Sequence, residues 1–320
     1  MSRFKDAEPI LAAAEHWKRR CLLGAQSLFT EWSLWTREGF DKLNELYVKR
    51  AKDGLSATSF LSQLEDKLKP GPPDASCLWA EMTWVYHLIQ SSMKAVTKRD
   101  RIREIWSWSG RDFPADHDLL NDAVLGTGVA NLGIPYNVLA WKEFRYFATV
   151  MLRWFSLKID ERESLLDHPW DCASWLDAGE SVENRMFRQV MLFLLFPDEF
   201  EPITESHKRK IVAALGNGNR LEPADAVAID REVLAIRHRL EREYPGEIDF
   251  YRSPIEELWR GTEEPSPGSY SPTQARQDLF LDPDHFDRLL TSIKSGKNLI
   301  LQGPPGTGKT FIARRIAWCL

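Results

Sequence analysis

The 320 residues carry 43% hydrophobic and 28% charged side chains, the make-up of a globular protein with room for two domains. A formal net charge of −5 and a pI near 5.9 exclude the global basic field that marks many nucleic-acid binders. No signal peptide or membrane span is expected: the start "MSRFKDAEPILAAAEHW" lacks a long apolar core, and Val190–Phe196 falls far short of the roughly 18 residues a span needs.

In chain order, the first 245 or so residues read as helix after helix. Leu28, Trp32, Trp35, Phe40, Leu43 and Leu46 recur near helical spacing and predict a helix over Ala25–Arg50. A second is expected over Ser56–Lys69, stopped by "PGPP" at Pro70–Pro73. Asp74–Val96 follows, with Leu78, Met82, Tyr86 and Ile89 along one face. Thr97-Lys98-Arg99-Asp100 resembles a capping box for the next helix, and "SWSGRDFP" breaks the pattern.

Asn121–Tyr136, rich in Gly and Asn, reads as a loop. Its Gly126-Thr127-Gly128 lacks the lysine and the spacing of a phosphate loop. Helices resume at Val138–Leu157, Glu161–Leu166 and Trp170–Leu176. Asn184–Phe196 is apolar nearly all round, as expected at the centre of a helical core. Thr204–Leu215 and Ala224–Glu243 complete the run, the latter with Val233, Ile236 and Leu240 as its inner stripe. Gly261–Gln277 is a Pro/Ser/Gly linker, and Pro283–Ser295 is a further helix.

Cys21, Cys77, Cys172 and Cys319 lie far apart with no C-x-x-C pair, so neither a zinc site nor a disulfide framework is suggested. They read as small buried thiols of a cytoplasmic protein. Basic spots at Trp17–Arg20, Lys98–Arg103 and Ser206–Lys210 sit among acidic residues and read as solvated helix faces. Of the 13 tryptophans, most fall on apolar helical faces and read as core. "REIWSWSGRDFP" stays open: Arg103, Trp106, Trp108 and Arg111 cluster at a helix break. They read either as a DNA contact built from cations and stacking rings or as core tryptophans beside solvated arginines.

The strongest chemical signal is "LQGPPGTGKTF". Gly303-Pro304-Pro305-Gly306-Thr307-Gly308-Lys309-Thr310 fits the phosphate-binding (Walker A) pattern G-x-x-x-x-G-K-[ST]. The apolar run Asn298–Gln302 reads as a buried parallel strand before it. After it, Ile312 and Ile316 mark a helix, with Phe311 and Ala317 beside them and Arg314 and Arg315 free to face outward. The glycines let backbone N–H groups close round phosphate oxygens, and the helix start adds its own donors and dipole. Lys309 is expected on the β- and γ-phosphates of ATP or GTP, and the Thr310 hydroxyl on Mg²⁺. The bland alternative is a chance Gly-Pro turn before a helix. Hydrolysis also needs an acidic Mg²⁺ ligand from a later strand. The few residues after Thr310 read as helix, so the chain is expected to be the N-terminal part of a longer protein.

"FLDPDHFDRLLTSIKSGKNLILQGPPGTGKTFIARRIAWCL" resembles the start of the AAA+ module of McrB-type proteins, the nucleotide-hydrolysing subunits of modification-dependent restriction systems. The resemblance covers about the last forty residues. Together with the helical run and the linker read above, it implies a helical recognition or adaptor region over 1–260, a linker over 261–277, and the first βα unit of an incomplete α/β P-loop domain over 278–320. It also implies a homo-oligomeric ring, usually a hexamer, and a partner nuclease subunit in a defence system acting on DNA. The alternative is an AAA+ motor that remodels proteins, with the helical region as a protein-interaction module.

Overall fold

The computed structural model describes residues 7–48, 60–126, 128–179, 185–216, 225–244, 246–260, 271–272, 275, 283–296, 298, 300–302 and 309–320. The protein is mainly α. Among the described residues there is no sheet, only isolated bridges between Gln26 and Ser33 and between Gln90 and Ala130.

The largest core forms around two helices buried on every side. Pro73–His87 starts with Pro73 in its first turn, where a missing N–H costs nothing, and buries every residue from Ala75 to His87. Met186–Leu195 buries Phe187 through Leu195, as its all-round apolar sequence requires. Glu8–Trp17, Arg37–Leu43, Ala95–Ser107, Ala140–Trp154 and Pro169–Asp177 contribute to the same core. Ala140–Trp154 has the amphipathic pattern: Phe144, Phe147, Met151 and Trp154 face in at steps of three or four residues. Aromatic contacts tie these elements together. Phe147 meets Phe187 at 4.2 Å, and Trp79 stacks on Phe144 at 5.0 Å. Tyr86 stacks on Tyr136 at 4.2 Å with planes 7° apart. Each tyrosine hydroxyl also donates to the other's backbone carbonyl.

The expected helix Ala25–Arg50 is not continuous. Ala25 takes a positive φ of 56°, and a loop runs to Thr36, whose hydroxyl accepts from Gly39 N–H to start the helix Arg37–Leu43. A wider turn of π-helix, Asn44–Val48, follows. The loop is held by Glu81 from the middle of the buried helix. Its carboxylate accepts from the Ser27 hydroxyl, from Leu28 N–H at 2.9 Å and from Trp35 Nε1 at 2.6 Å. A carboxylate buried in an apolar core has to be answered by donors, and this loop supplies them. Trp32 leaves the expected inner face and is 41% exposed.

Other boundaries move for local reasons. The helix expected to reach Val96 ends at His87, and a new one begins at Ala95 with Lys94 as its N-cap. Thr97–Asp100 therefore lies inside a helix and caps nothing. Asn121–Tyr136 is not only loop. Asn121 caps a short helix, Asp122–Leu125, by accepting from Val124 N–H at 2.9 Å, and Gly133–Val138 is also helical. Gly128 sits at φ +55° with Gln90 and Ser91 backbone 2.5–2.6 Å from where a Cβ would stand. Its glycine serves a close backbone approach, not a phosphate.

A second hydrophobic cluster gathers Ile203, Ile211, Ile229, Val233, Ile236, Leu240, Ile248, Phe250, Ile255 and Trp259. Its helices are Glu205–Leu215, capped by Thr204, Ala226–Glu243, capped by Asp225, and Ile255–Arg260. A third, small cluster joins Ala275 to Phe286 and Leu290 of Pro283–Gly296 and to Ile316 of Lys309–Trp318. The Gly261–Gln277 linker lies outside the described residues apart from 271–272 and 275.

Burial pushes the Glu81 carboxyl up from 4.5 to about 7, against the donors that favour its charge. The sign follows from linkage. A group whose folded value is raised contributes fully below about 4.5 and loses that contribution as pH rises through about 7. In urea unfolding, wild type should therefore gain on the order of 2–3 kcal/mol relative to Glu81→Gln between pH 8 and pH 4.5.

Candidate functional site

The helix Lys309–Trp318 begins at the motif lysine. Its first-turn N–H groups have no carbonyl one turn earlier in the helix, so the segment 303–308 leads into an end that attracts anions. Lys309 is half-buried. Ile316 anchors the helix against Phe286 and Leu290, with Ile312, Leu289 and Ile293 packed on the same cluster. Ala317 is exposed and Arg315 half-buried, the reverse of their expected sides. Successive residues turn by about 100°, so both flank Ile316 and packing against the neighbouring helix decides between them.

Gly303, Pro304, Pro305, Gly306, Thr307 and Gly308 lie outside the described residues, as do the side chains of Thr310 and Phe311. The donor set the sequence places here, an ammonium and a hydroxyl at a helix start, suits a nucleotide's phosphates with Mg²⁺. Upstream, Asn298, Ile300, Leu301 and Gln302 form no strand, and Ile300 is 83% exposed. The described residues of the expected strand are thus irregular, with Asn298, Ile300 and Gln302 exposed and Leu301 half-buried. Strand backbone needs a neighbour for its N–H and C=O groups, and no strand among the described residues offers one.

The four DNA-contact candidates do not form one open surface. Trp106 is fully buried, donates from Nε1 to Asp112 O at 3.0 Å and packs on Phe29 and Phe113. Trp108 is part-buried against the same core. Arg103 pairs with Asp100 at 3.4 Å and lies over Phe113. Arg111 pairs with Asp74 at 2.6 Å and covers the ring of Trp32 at 4.4 Å. The exposed aromatic here is Trp32, stacked on Trp106 at 6.2 Å.

Two of the basic spots read as solvated faces are in part buried. Lys98 is wholly enclosed, and its ammonium donates to Leu88 O, at the C-terminal end of Pro73–His87, at 3.4 Å. Burial lowers its pKa to about 8. Lys208 is 1% exposed. Its ammonium donates to Asp230 and to Gln189 Oε1, while Arg188 reaches Asp230 at 2.8 Å and Asp177 at 2.5 and 2.7 Å. Burial works to raise the Asp230 carboxyl, but Lys208 and Arg188 outweigh it and hold it below the ordinary range. Sequence spacing carries one signal of this: Lys208 lies one turn before Ile211, and Asp230 one turn before Val233, on buried faces.

A cleft of about 490 Å³ opens between Val129–Asn131, Ile203, Thr204 and His207, and Phe250–Arg252. His207 Nδ1 meets Tyr251 Oη at 2.9 Å. Among the described residues no group of three or more His, Cys, Asp or Glu side chains could hold a metal ion, and no helix is long and apolar enough to cross a membrane. Cys21, Cys77 and Cys172 are free and buried.

Over 52 residues, 16% of the chain, the sequence is 48% identical to the type IV methyl-directed restriction enzyme EcoKMcrB subunit of Escherichia coli (strain K12). The match spans 11% of that protein's length and supports a distant McrB/AAA+ relationship. No family profile matches the chain, and no solved structure matches it.

Because Trp106 is core, Trp106→Ala is expected to cost about 3–5 kcal/mol of unfolding free energy. Arg103→Ala/Arg111→Ala, which loses half-exposed ion pairs and ring contacts, should cost under about 1 kcal/mol per residue. Urea unfolding followed by far-UV circular dichroism measures both.

Proposed function

We propose that the chain binds a nucleoside triphosphate, ATP or GTP, through Gly303–Phe311, as part of an McrB-like AAA+ motor. The observation that carries the reading is a complete phosphate-loop sequence whose lysine stands at the first residue of a helix. The short 48% match to the EcoKMcrB subunit supports it. In this reading the turned backbone and helix start hold the phosphates, Lys309 lies along the β- and γ-phosphates, and Thr310 holds Mg²⁺. The metal, once bound, would neutralise phosphate charge. The 1–260 region serves as recognition or adaptor part, and 278–320 begins the motor domain. The parent assembly is a ring, hexameric by resemblance, with a nuclease subunit as partner in a restriction system that defends the cytoplasm.

The second reading, a motor that remodels proteins, gains from one observation. Of the residues that looked suited to DNA, Trp106 is core and Arg111 is tied to Asp74. A protein-interaction role for the helical region needs no stacking surface and no basic field.

The test uses residues 1–320 with fluorescent ATP and GTP analogues. Weak, Mg²⁺-dependent binding is expected, reduced at least about tenfold in Lys309→Ala, a change that removes one charge-assisted phosphate contact. No turnover above the Lys309→Ala background is expected, since hydrolysis also needs an acidic Mg²⁺ ligand that Gly303–Phe311 does not supply. Equal binding by the variant would refute the phosphate-loop reading. Limited proteolysis is expected to cut first within Gly261–Gln277 and to leave a stable N-terminal fragment; cuts scattered through the first 200 residues would contradict the proposed division.

A further inference from the structure

We propose that the described residues of 203–259 form a lobe that docks on the 7–200 body through the buried Arg188–Asp230 ion pair and the polar contacts beside it, and that the lobe opens from the body as a unit. Three observations support this.

The lobe has its own core. Ile203, Ile211, Ile229, Val233, Ile236, Leu240, Ile248, Phe250, Ile255 and Trp259 pack on one another, separately from the cluster that ends at Phe200. A unit with its own core can open without emptying another.

The seam between lobe and body is held by charge more than by apolar packing. On helix Ala226–Glu243 the inner stripe Ile229, Val233, Ile236 and Leu240 serves the lobe. Asp230 and Arg237, two turns apart, serve the seam. Asp230 takes Arg188 of the body at 2.8 Å and shares its other oxygen with Lys208. Arg237 pairs at 3.2 Å with Glu201, between body and lobe, and donates to Asp198 O of the body. Arg231 lies over the ring of Trp170 at 4.3 Å. Val227 is the lobe's partly buried apolar side chain on the body's cluster. Buried ion pairs fix geometry strongly but add little net stability over apolar packing, since desolvation offsets their attraction. A seam made this way is specific in register and modest in strength.

The seam also borders an open cleft. The cleft of about 490 Å³ lies along it, with Val129, Ala130 and Asn131 of the body on one side and Thr204, His207, Phe250 and Tyr251 of the lobe on the other.

Native-state hydrogen exchange with peptide mass spectrometry on residues 1–320 tests the proposal. In wild type, under mild urea, amides of Glu205–Leu215, Ala226–Glu243 and Ile255–Arg260 should share one opening that is easier than that of Pro73–His87 and Ala140–Trp154. Asp230→Asn strands Lys208 and weakens Arg188, and should speed lobe exchange on the order of a hundredfold while leaving the body's two helices unchanged. Asp230→Leu/Lys208→Met strands no lysine but still takes Asp230 from Arg188, and should also speed lobe exchange, by less than Asp230→Asn, with the body's two helices unchanged. A single opening shared by lobe and body in wild type overturns the proposal, whether or not Asp230→Asn folds. Equal acceleration of body and lobe in Asp230→Asn overturns it as well.

Discussion

The structure depends on a carboxylate placed where water cannot reach it. Helix Pro73–His87 is enclosed on all sides, and Glu81 sits in its middle. A buried carboxylate without donors would cost several kcal/mol, so the chain has to bring donors to it. The segment 25–36 does so, and in doing so it gives up the helix that its own hydrophobic spacing favours. That loop sets the entry to Arg37–Leu43, carries Trp32 outward, and places Trp35 among Trp17, Phe40 and Phe147. One long-range polar requirement thus shapes both the loop and the helix that follows it.

The same logic separates what was legible in the sequence from what was not. Ala140–Trp154 and Ala226–Glu243 follow their apolar period closely and Met186–Leu195 its all-round apolar run, since what each element buries is written in its own residues. Thr204 caps as its hydroxyl chemistry suggests. The break at 25–36 could not be read locally, because Leu28 N–H finds its acceptor 53 residues away. Lys98 and Lys208 looked solvated for the same reason: the Leu88 carbonyl that accepts from Lys98 and the Asp230 carboxylate that neutralises Lys208 lie ten and 22 positions off. Local charge patterns report faces, and they do not report which partner the fold will bring.

The phosphate-loop motif is the opposite case. Its pattern is compressed into eight consecutive residues, so the expectation needs no distant partner, whereas the strand expected before it needs neighbours that local sequence cannot supply. The DNA-contact candidates stand between these extremes. Their residue types suited the task, yet the same tryptophan that could stack on a base fills the space beneath Phe29 and Trp32. Where a large ring lies on an apolar helical face, core packing outcompetes recognition unless something holds the ring open.

The tyrosine pair at the centre of the body has a consequence for how this protein can vary. Tyr86 and Tyr136 lie face to face, and each hydroxyl satisfies the other residue's carbonyl. Changing one of them to phenylalanine leaves one buried carbonyl without its donor while the remaining ring still demands a flat partner. Neither position can drift alone without an intermediate that both loses a hydrogen bond and keeps the space it left. Among relatives, the two sites should therefore co-vary, either both tyrosine or both replaced together, and that coupled history would be visible as correlated substitution between positions fifty residues apart.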